Sequence, residues 1–203
     1  PVKTSGIDSL LTDKVDTTAA KNSPFLGKML APGQQGAPHV GTFATKDTAA
    51  INGYLKRADI KALLPANLTN IRFAWGKTNE KNPDITDLYA LKGTRDNVAP
   101  LSGGVIVDAK DTFDQLGKPA VSMQMNGNGS RKWEQITGAV SQQGNAIAIV
   151  LDNIVYSAPG VSKGAITGGQ SEISGNFTIE ETKDLANILR AGKLPAAAEI
   201  VQS

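Results

Sequence analysis

Asp108, Asp111 and Asp114 stand three residues apart, and carboxylates at that spacing on one helical face would suit a hard cation such as calcium. The stretch lacks the glycine and closing glutamate of an EF-hand loop, so a solvated face with Asp111 capping a turn is the plainer reading. Asp84 and Asp87 form a carboxylate pair of the type used in glycoside hydrolysis, yet they fall in a polar stretch that reads as a turn. His39 is the sole histidine, between Pro38 and Val40, and nothing around it suggests the carboxylate and nucleophile of a triad. Zinc needs several His or Cys ligands, which one histidine and no cysteine cannot supply. Asn126-Gly127-Asn128-Gly129-Ser130 lies between an expected strand and an expected helix, where exposed N–H groups could receive a phosphate. It has neither a Walker lysine nor a full G-x-G-x-x-G, so capping by Asn126, with small residues for close packing, explains it better. Met123 and Met125 alternate along one strand, and an exposed methionine pair would suit a promiscuous polypeptide site, with core packing as the competing role. No residue is assigned to catalysis, to a cofactor or to a metal.

Composition narrows the classes further. Forty per cent apolar and twenty per cent charged residues are ordinary for a globular chain of 203 residues. Twenty-one basic against nineteen acidic residues leave +2, with no Lys/Arg-rich run, which argues against nucleic acid as a partner. Five per cent aromatics make a base-stacking platform a poor fit. The longest apolar run, Ala146 to Leu151, is far short of the roughly 20 residues that cross a bilayer. Absence of cysteine rules out disulfides without choosing a redox compartment. A start at Pro1 without methionine suggests a piece of a longer chain.

The elements follow from periodicity and punctuation. Residues 1–39 read as a boundary region, with short helices at Ile7–Val15 and Phe25–Leu30 and a loop from Ala31 to Pro38. Val40–Thr45 reads as a strand, Asp47 as the cap of a helix carrying Ala50, Ile51, Tyr54 and Leu55, and Ala58–Leu64 as a further turn or two. Leu68–Trp75 and Asp87–Lys92 alternate across a polar turn, which predicts an antiparallel hairpin. Ala120–Asn126 is an expected strand and Gly127–Gln143 an expected helix with Trp133, Ile136, Thr137 and Val140 at helical spacing. Asn145–Leu151 and Ile154–Ser157 flank Asp152-Asn153, a pair that tolerates positive φ and suits a tight hairpin. The last helix has both ends written in. Thr178 and Glu181 form a capping box, Thr182, Leu185, Ala186, Ile188 and Leu189 make an apolar stripe, and Arg190 and Lys193 suit the negative end of the dipole. Gly192 and Pro195 then stop it, and Lys193–Val201 runs out extended.

The wording of several segments carries a resemblance that periodicity does not. FTIEETKDLANILRAGKLP, preceded by Ser174-Gly175-Asn176, resembles the SecD family of protein-export membrane subunits. LSGGVIVDA and IAIVLDNIVYSAP followed by GAITGGQSEISGNFT resemble further motifs of that family, in the same order. VGTFATKDTAAINGYL, FAWGK and DLYALKG resemble the SecD–SecF fusion proteins of Bacteroidetes-like bacteria. The resemblance covers about 40–201 and is densest from Leu101 onward.

The elements read as an α+β fold, two-layered, with antiparallel-rich sheets covered by helices, in two lobes, and the resemblance implies that these are a ferredoxin-like base and an inserted head lobe. The head would be 101–175, with 40–100 and 176–203 forming or packing beside the base. Leu101, Ser102, Gly103, Gly175, Asn176 and Phe177 would be the hinge between them. The implied role is handling of an unfolded preprotein at the periplasmic face of the bacterial inner membrane during proton-driven export. Contact with SecF and the SecYEG channel, and with the membrane, would run through parts of a longer protein. No cofactor and no nucleic acid are implied. A periplasmic hydrolase using an Asp pair or a lone Ser, and a purely structural adaptor of the translocon, are the competing functions.

Overall fold

The computed structural model describes residues 24–34, 37–62, 64, 70–78, 82–92, 99–162, 164–175, 177–191 and 197–201. In chain order these form β1 (Met29–Pro32), β2 (His39–Ala44), α1 (Thr48–Leu55), α2 (Ala58–Ala62), β3 (Ile71–Gly76), β4 (Ile85–Lys92), β5 (Ile106–Phe113) and β6 (Pro119–Met125). Then come α3 (Gly127–Gln143), β7 (Ala146–Leu151), β8 (Ile154–Ser157), β9 (Gln170–Ser174), α4 (Ile179–Ala191) and β10 (Ala197–Val201). The class is α+β with antiparallel-rich sheets, as expected.

The larger sheet runs β1-β2-β4-β10-β7-β8-β3, and β3 also pairs with β4. That extra pairing closes β4, β10, β7, β8 and β3 into a ring. Inside it meet Ala74, Leu91, Ala146, Ala148, Val150 and Val155, small and branched side chains that fit a narrow interior. The predicted β3–β4 hairpin is present, antiparallel from Ile71↔Lys92 to Trp75↔Leu88. So is the turn between β7 and β8, where Asp152 and Asn153 take φ of 48° and 65°. On the other side of β4, β2 pairs antiparallel, so β2, α1 and β3 make a split βαβ unit of the ferredoxin-like kind. Ile51 of α1 shares a core with Phe25, Phe43 and Leu88, against which Phe73 and Trp75 pack, and Trp75 donates its indole N–H to Asn52 Oδ1 at 3.0 Å.

Three expectations for the N-terminal part change. The Phe25–Leu30 segment is one 3-10 turn, Leu26–Lys28, followed by β1, and β1 continues to Pro32 inside the expected loop. Pairing with β2 and burial of Phe25 against Phe43 override the local helical pattern. Asp47 stands at the start of α1 but makes no side-chain cap; its carboxylate pairs with Lys28 instead. The expected Ile7–Val15 helix lies outside the described residues.

The smaller sheet runs β5-β6-β9, all antiparallel. Its inner face packs under α4 and α3 on a core that includes Val121, Met123, Ile173, Trp133, Leu185 and Leu189. β7 joins the two cores: Ala146, Ala148 and Val150 point into the ring, while Ile147 and Ile149 point into the core beneath α3 and α4. The lobe boundaries expected above cut across these layers. β7 and β8, within 101–175, complete the ring of β3 and β4, and α4, within 176–203, lies across β5 and β6. The extended tail becomes β10, inserted between β4 and β7.

Candidate functional site

The small sheet is positioned by two helix starts that local chemistry determines. Asn126 Oδ1 accepts from the Gly129 N–H at 2.9 Å and opens α3, as predicted. Gly129 lies so close to Val105 that a Cβ there would meet the Val105 Cβ at 2.7 Å, so the small residues at this turn allow close packing. The Thr178–Glu181 capping box opens α4: Thr178 N–H donates to Glu181 Oε2 at 2.8 Å and Glu181 N–H donates to Thr178 Oγ1 at 3.2 Å. Thr182, Leu185, Ala186 and Leu189 are all buried. Arg190 does more than complement the helix dipole. It reaches the edge of β5 and donates from Nε (3.1 Å) and Nη2 (2.7 Å) to the Ala109 carbonyl.

The aspartate trio does not share a helical face, because 106–113 is a strand. Asp108 and Asp111 point to opposite faces of β5, and Asp114 caps the hairpin turn, accepting from the Leu116 and Lys118 N–H groups at 2.8 Å each. The capping expected of Asp111 is thus performed by Asp114. Hydrogen bonding from Lys110 (Nζ to Oδ2, 2.9 Å) holds the Asp108 carboxyl below its usual range, helped by the charge of Arg190. Among the described residues no three His, Cys, Asp or Glu side chains gather as a metal site would require.

Other candidates are also placed. Asp87 is half-buried on β4 and accepts from Thr42 Oγ1 at 2.6 Å, while Asp84 is exposed. His39 opens β2 and meets Tyr89 edge-on, ring centroids 6.1 Å apart. Met123 and Met125 are only 5% and 6% exposed and face the core, so a polypeptide site built on their side chains would require α3 or α4 to lift. Among the hinge candidates, Leu101 is buried and Phe177 packs on the same core. Gly103 and Gly175 take no positive φ, and the Phe177 ring lies directly under Gly175. Asn176 is outside the described residues. A swing about Leu101 and Phe177 would have to unpack both.

What the small sheet leaves open is its outer face and its hairpin. Across the register, Asp108, Gln124 and Gln170 line up beside Lys110, Ser122 and Glu172, a polar surface that no helix covers among the described residues. Phe113 (61% exposed) and Leu116 (81%) project from the β5–β6 hairpin, and Val107 (58%) lies at the other end of β5. A separate cleft of about 130 Å³ lies where α4 meets the ring, lined by Lys77, Tyr156, Phe177, Glu181 and Leu185. Lys77 Nζ sits 5.5 Å from the centre of the Tyr156 ring. Sequence reasoning missed this cleft and the hairpin tip. Phe113 and Leu116 beside a turn were the available signal for the tip.

Comparison with known proteins adds the following. The family model for the head subdomain of SecDF P1 matches residues 87–196. The chain is 38% identical over 203 residues to the protein translocase subunit SecD of Rhodothermus marinus, spanning 98% of this chain and 30% of that protein. It is 41% identical over 102 residues to the protein translocase subunit SecDF of Thermus thermophilus, spanning 50% of this chain and 14% of that one. A solved structure of a membrane component SecDF that enhances protein export covers 91% of this chain and 87% of that one at 25% identity, with a TM-score of 0.42.

Proposed function

The chain belongs to the SecD/SecDF family of protein translocase subunits, and on that premise we propose that it engages an unfolded polypeptide on the periplasmic side of the inner membrane during export. The supporting observation is the match to the head subdomain of SecDF P1 over 87–196, a range that contains the entire small sheet, α3 and α4. The small sheet adds a physical reason: it has a polar face that no described helix covers and an apolar hairpin tip, on a frame of capped helices. In this reading the chain is a holder rather than a catalyst. Proton coupling, contact with the SecYEG channel and SecF, and membrane anchorage belong to other parts of the full protein. Among the described residues no helix is long and apolar enough to cross a membrane.

The test is titration of the isotope-labelled chain with a chemically unfolded polypeptide, followed by amide chemical shifts. Saturable perturbations at micromolar to high-micromolar concentrations are expected. No perturbation at any residue would leave the structural adaptor as the better reading, and turnover of hydrolase substrates would favour the enzyme.

A further inference from the structure

We propose that the outer edge of β5, from Ala109 to Phe113, takes an extended polypeptide as an added strand and prefers a segment in which every second residue is in turn apolar and basic, so that both kinds lie on one face. The proposal rests on the polypeptide-holding reading above and gives that reading a place and a chemistry.

The backbone geometry identifies the open groups. Met125 N–H donates to the Gly169 carbonyl on the β9 side of β6. Alternate residues of an antiparallel strand direct their N–H and C=O to the same side, so Val121, Met123 and Met125 turn toward β9, and Ser122 and Gln124 turn toward β5. Through the register Asp111↔Val121 and Lys110↔Ser122, it is Lys110 and Thr112 that bond to β6. Ala109, Asp111 and Phe113 therefore direct their backbone groups away from the sheet. Arg190 confirms this side as the outer one, because the Ala109 carbonyl it holds would otherwise belong to β6. No described strand pairs with this edge. The Ala109 N–H and both backbone groups of Asp111 and Phe113 remain for a partner, a ladder about five residues long.

Of the devices that usually blunt such an edge, β5 has charged side chains, Asp108, Lys110 and Asp111, but lacks two others. Proline is absent from 106–113, and the bulge sits at the far end, between Ile106 and Asp108. Arg190 secures one carbonyl and thereby steadies the strand without covering the rest.

The side chains say what the added strand should carry. Ala109, Asp111 and Phe113 share one face of β5. Asp111 is exposed and makes no ion pair among the described residues, whereas Asp108 is engaged by Lys110. A basic residue opposite Asp111 and an apolar one beside Phe113 are the cross-strand partners that fit. The same charge disfavours a second copy of this chain. Antiparallel self-pairing over the whole of Ala109–Phe113 sets Asp111 directly against Asp111, a destabilising arrangement. Most of the affinity would come from main-chain bonds, which tolerate varied sequences, as handling of many clients requires.

The experiment uses the 203-residue chain and three blocked ten-residue probe peptides. One alternates threonine with valine and lysine, the second replaces lysine by glutamate, and the third N-methylates alternate residues of the first. The lysine peptide should shift the amides of Ala109, Asp111 and Phe113 and slow their hydrogen exchange. The glutamate peptide should bind at least fivefold more weakly, and the methylated one should not bind. Asp111→Pro removes an outward N–H but no bond to β6, and should weaken binding at least tenfold while the Ala120–Met125 amide shifts persist. Should that variant lose its fold, Asp111→Lys serves instead and should reverse the preference between the lysine and glutamate peptides. Binding that maps elsewhere, for example to the Phe177–Tyr156 cleft, and survives these substitutions would overturn the edge site while leaving the holder reading intact. Concentration-dependent shifts at the edge without peptide would assign it to a second copy and also overturn the proposal. No binding of any peptide or unfolded protein would remove both.

Discussion

In the ring, β3 pairs with β4 on one side and β8 on the other, so the strand ladder closes on itself. In the small sheet, among the described strands, β5 and β9 each pair with β6 alone. The ring interior is filled by three alanines, two valines and a leucine from four strands, and the small sheet instead relies on one apolar face beneath two helices. The two regions share β7, whose alternate side chains serve one core and then the other. Every strand of the ring has a neighbour on both sides, although β3 meets β8 just at Trp75↔Ile154 and Gly76↔Val155, whereas β5 has a described strand on one side alone. The difference suggests a division of labour, with the ring as mount and the small sheet as contact surface.

The sharpest way to break that comparison is to damage the shared strand. Ile147→Ala removes a buried side chain from the small-sheet side of β7 and should cost about 2–5 kcal/mol. The chain has two tryptophans, and they report separately: Trp75 packs in the core of α1, and Trp133, on α3, packs in the core of the small sheet. Denaturant unfolding of single-tryptophan variants should give coincident midpoints, both shifted by Ile147→Ala. A shift at Trp133 alone would show two independent bodies.

A pH ramp tests the larger sheet by itself. Burial, with the Asp87 charge adding to it, pushes the Tyr89 phenol from 10.0 up to about 12. Between those values the folded chain keeps a proton that the unfolded chain has lost. The contribution is therefore full below pH 10 and is lost as pH rises through 12, by about 2–3 kcal/mol. Tyr89→Phe should remove this component of the alkaline loss, as read from denaturation midpoints between pH 9 and 12.

Two substitutions then sharpen the picture of the small sheet. Gly129→Ala forces a methyl to within 2.7 Å of the Val105 Cβ and should cost about 1–3 kcal/mol by overpacking. Exchange at the β5–β6 amides should speed up beyond the global change. Thr178→Ala removes one half of the capping box and should cost about 1 kcal/mol, with faster exchange in the first turn of α4. If exchange in the ring rises equally in both variants, the division between mount and contact surface does not hold.

Much of the local structure was legible beforehand, and the misses share a cause. The span of α3, its Asn126 cap, the Thr178–Glu181 box, the buried stripe of α4 and the Asp152-Asn153 turn all follow from residues within one or two turns of each other. Asp commonly caps, so Asp111 and Asp47 suit that role from the sequence, but an ion pair with Lys28 holds Asp47, and the turn of the β5–β6 hairpin gives the role to Asp114. Met123 and Met125 were legible as alternating strand residues. Which side of that strand faces the helices was not.

The amino-acid sequence by itself determined the chain's class, its family and the places where helices and turns begin, because capping bonds, turn dihedrals and amphipathic stripes involve neighbours a few residues apart. Tertiary structure alone decided which strand lies beside which: that the tail closes a ring between β4 and β7, that β7 serves two cores, and that no described strand takes the outer edge of β5. A strand's N–H and C=O groups are the same for every residue, so they carry no record of their partner. Partnership is settled by which apolar faces can be buried together, and that depends on residues far apart in the chain.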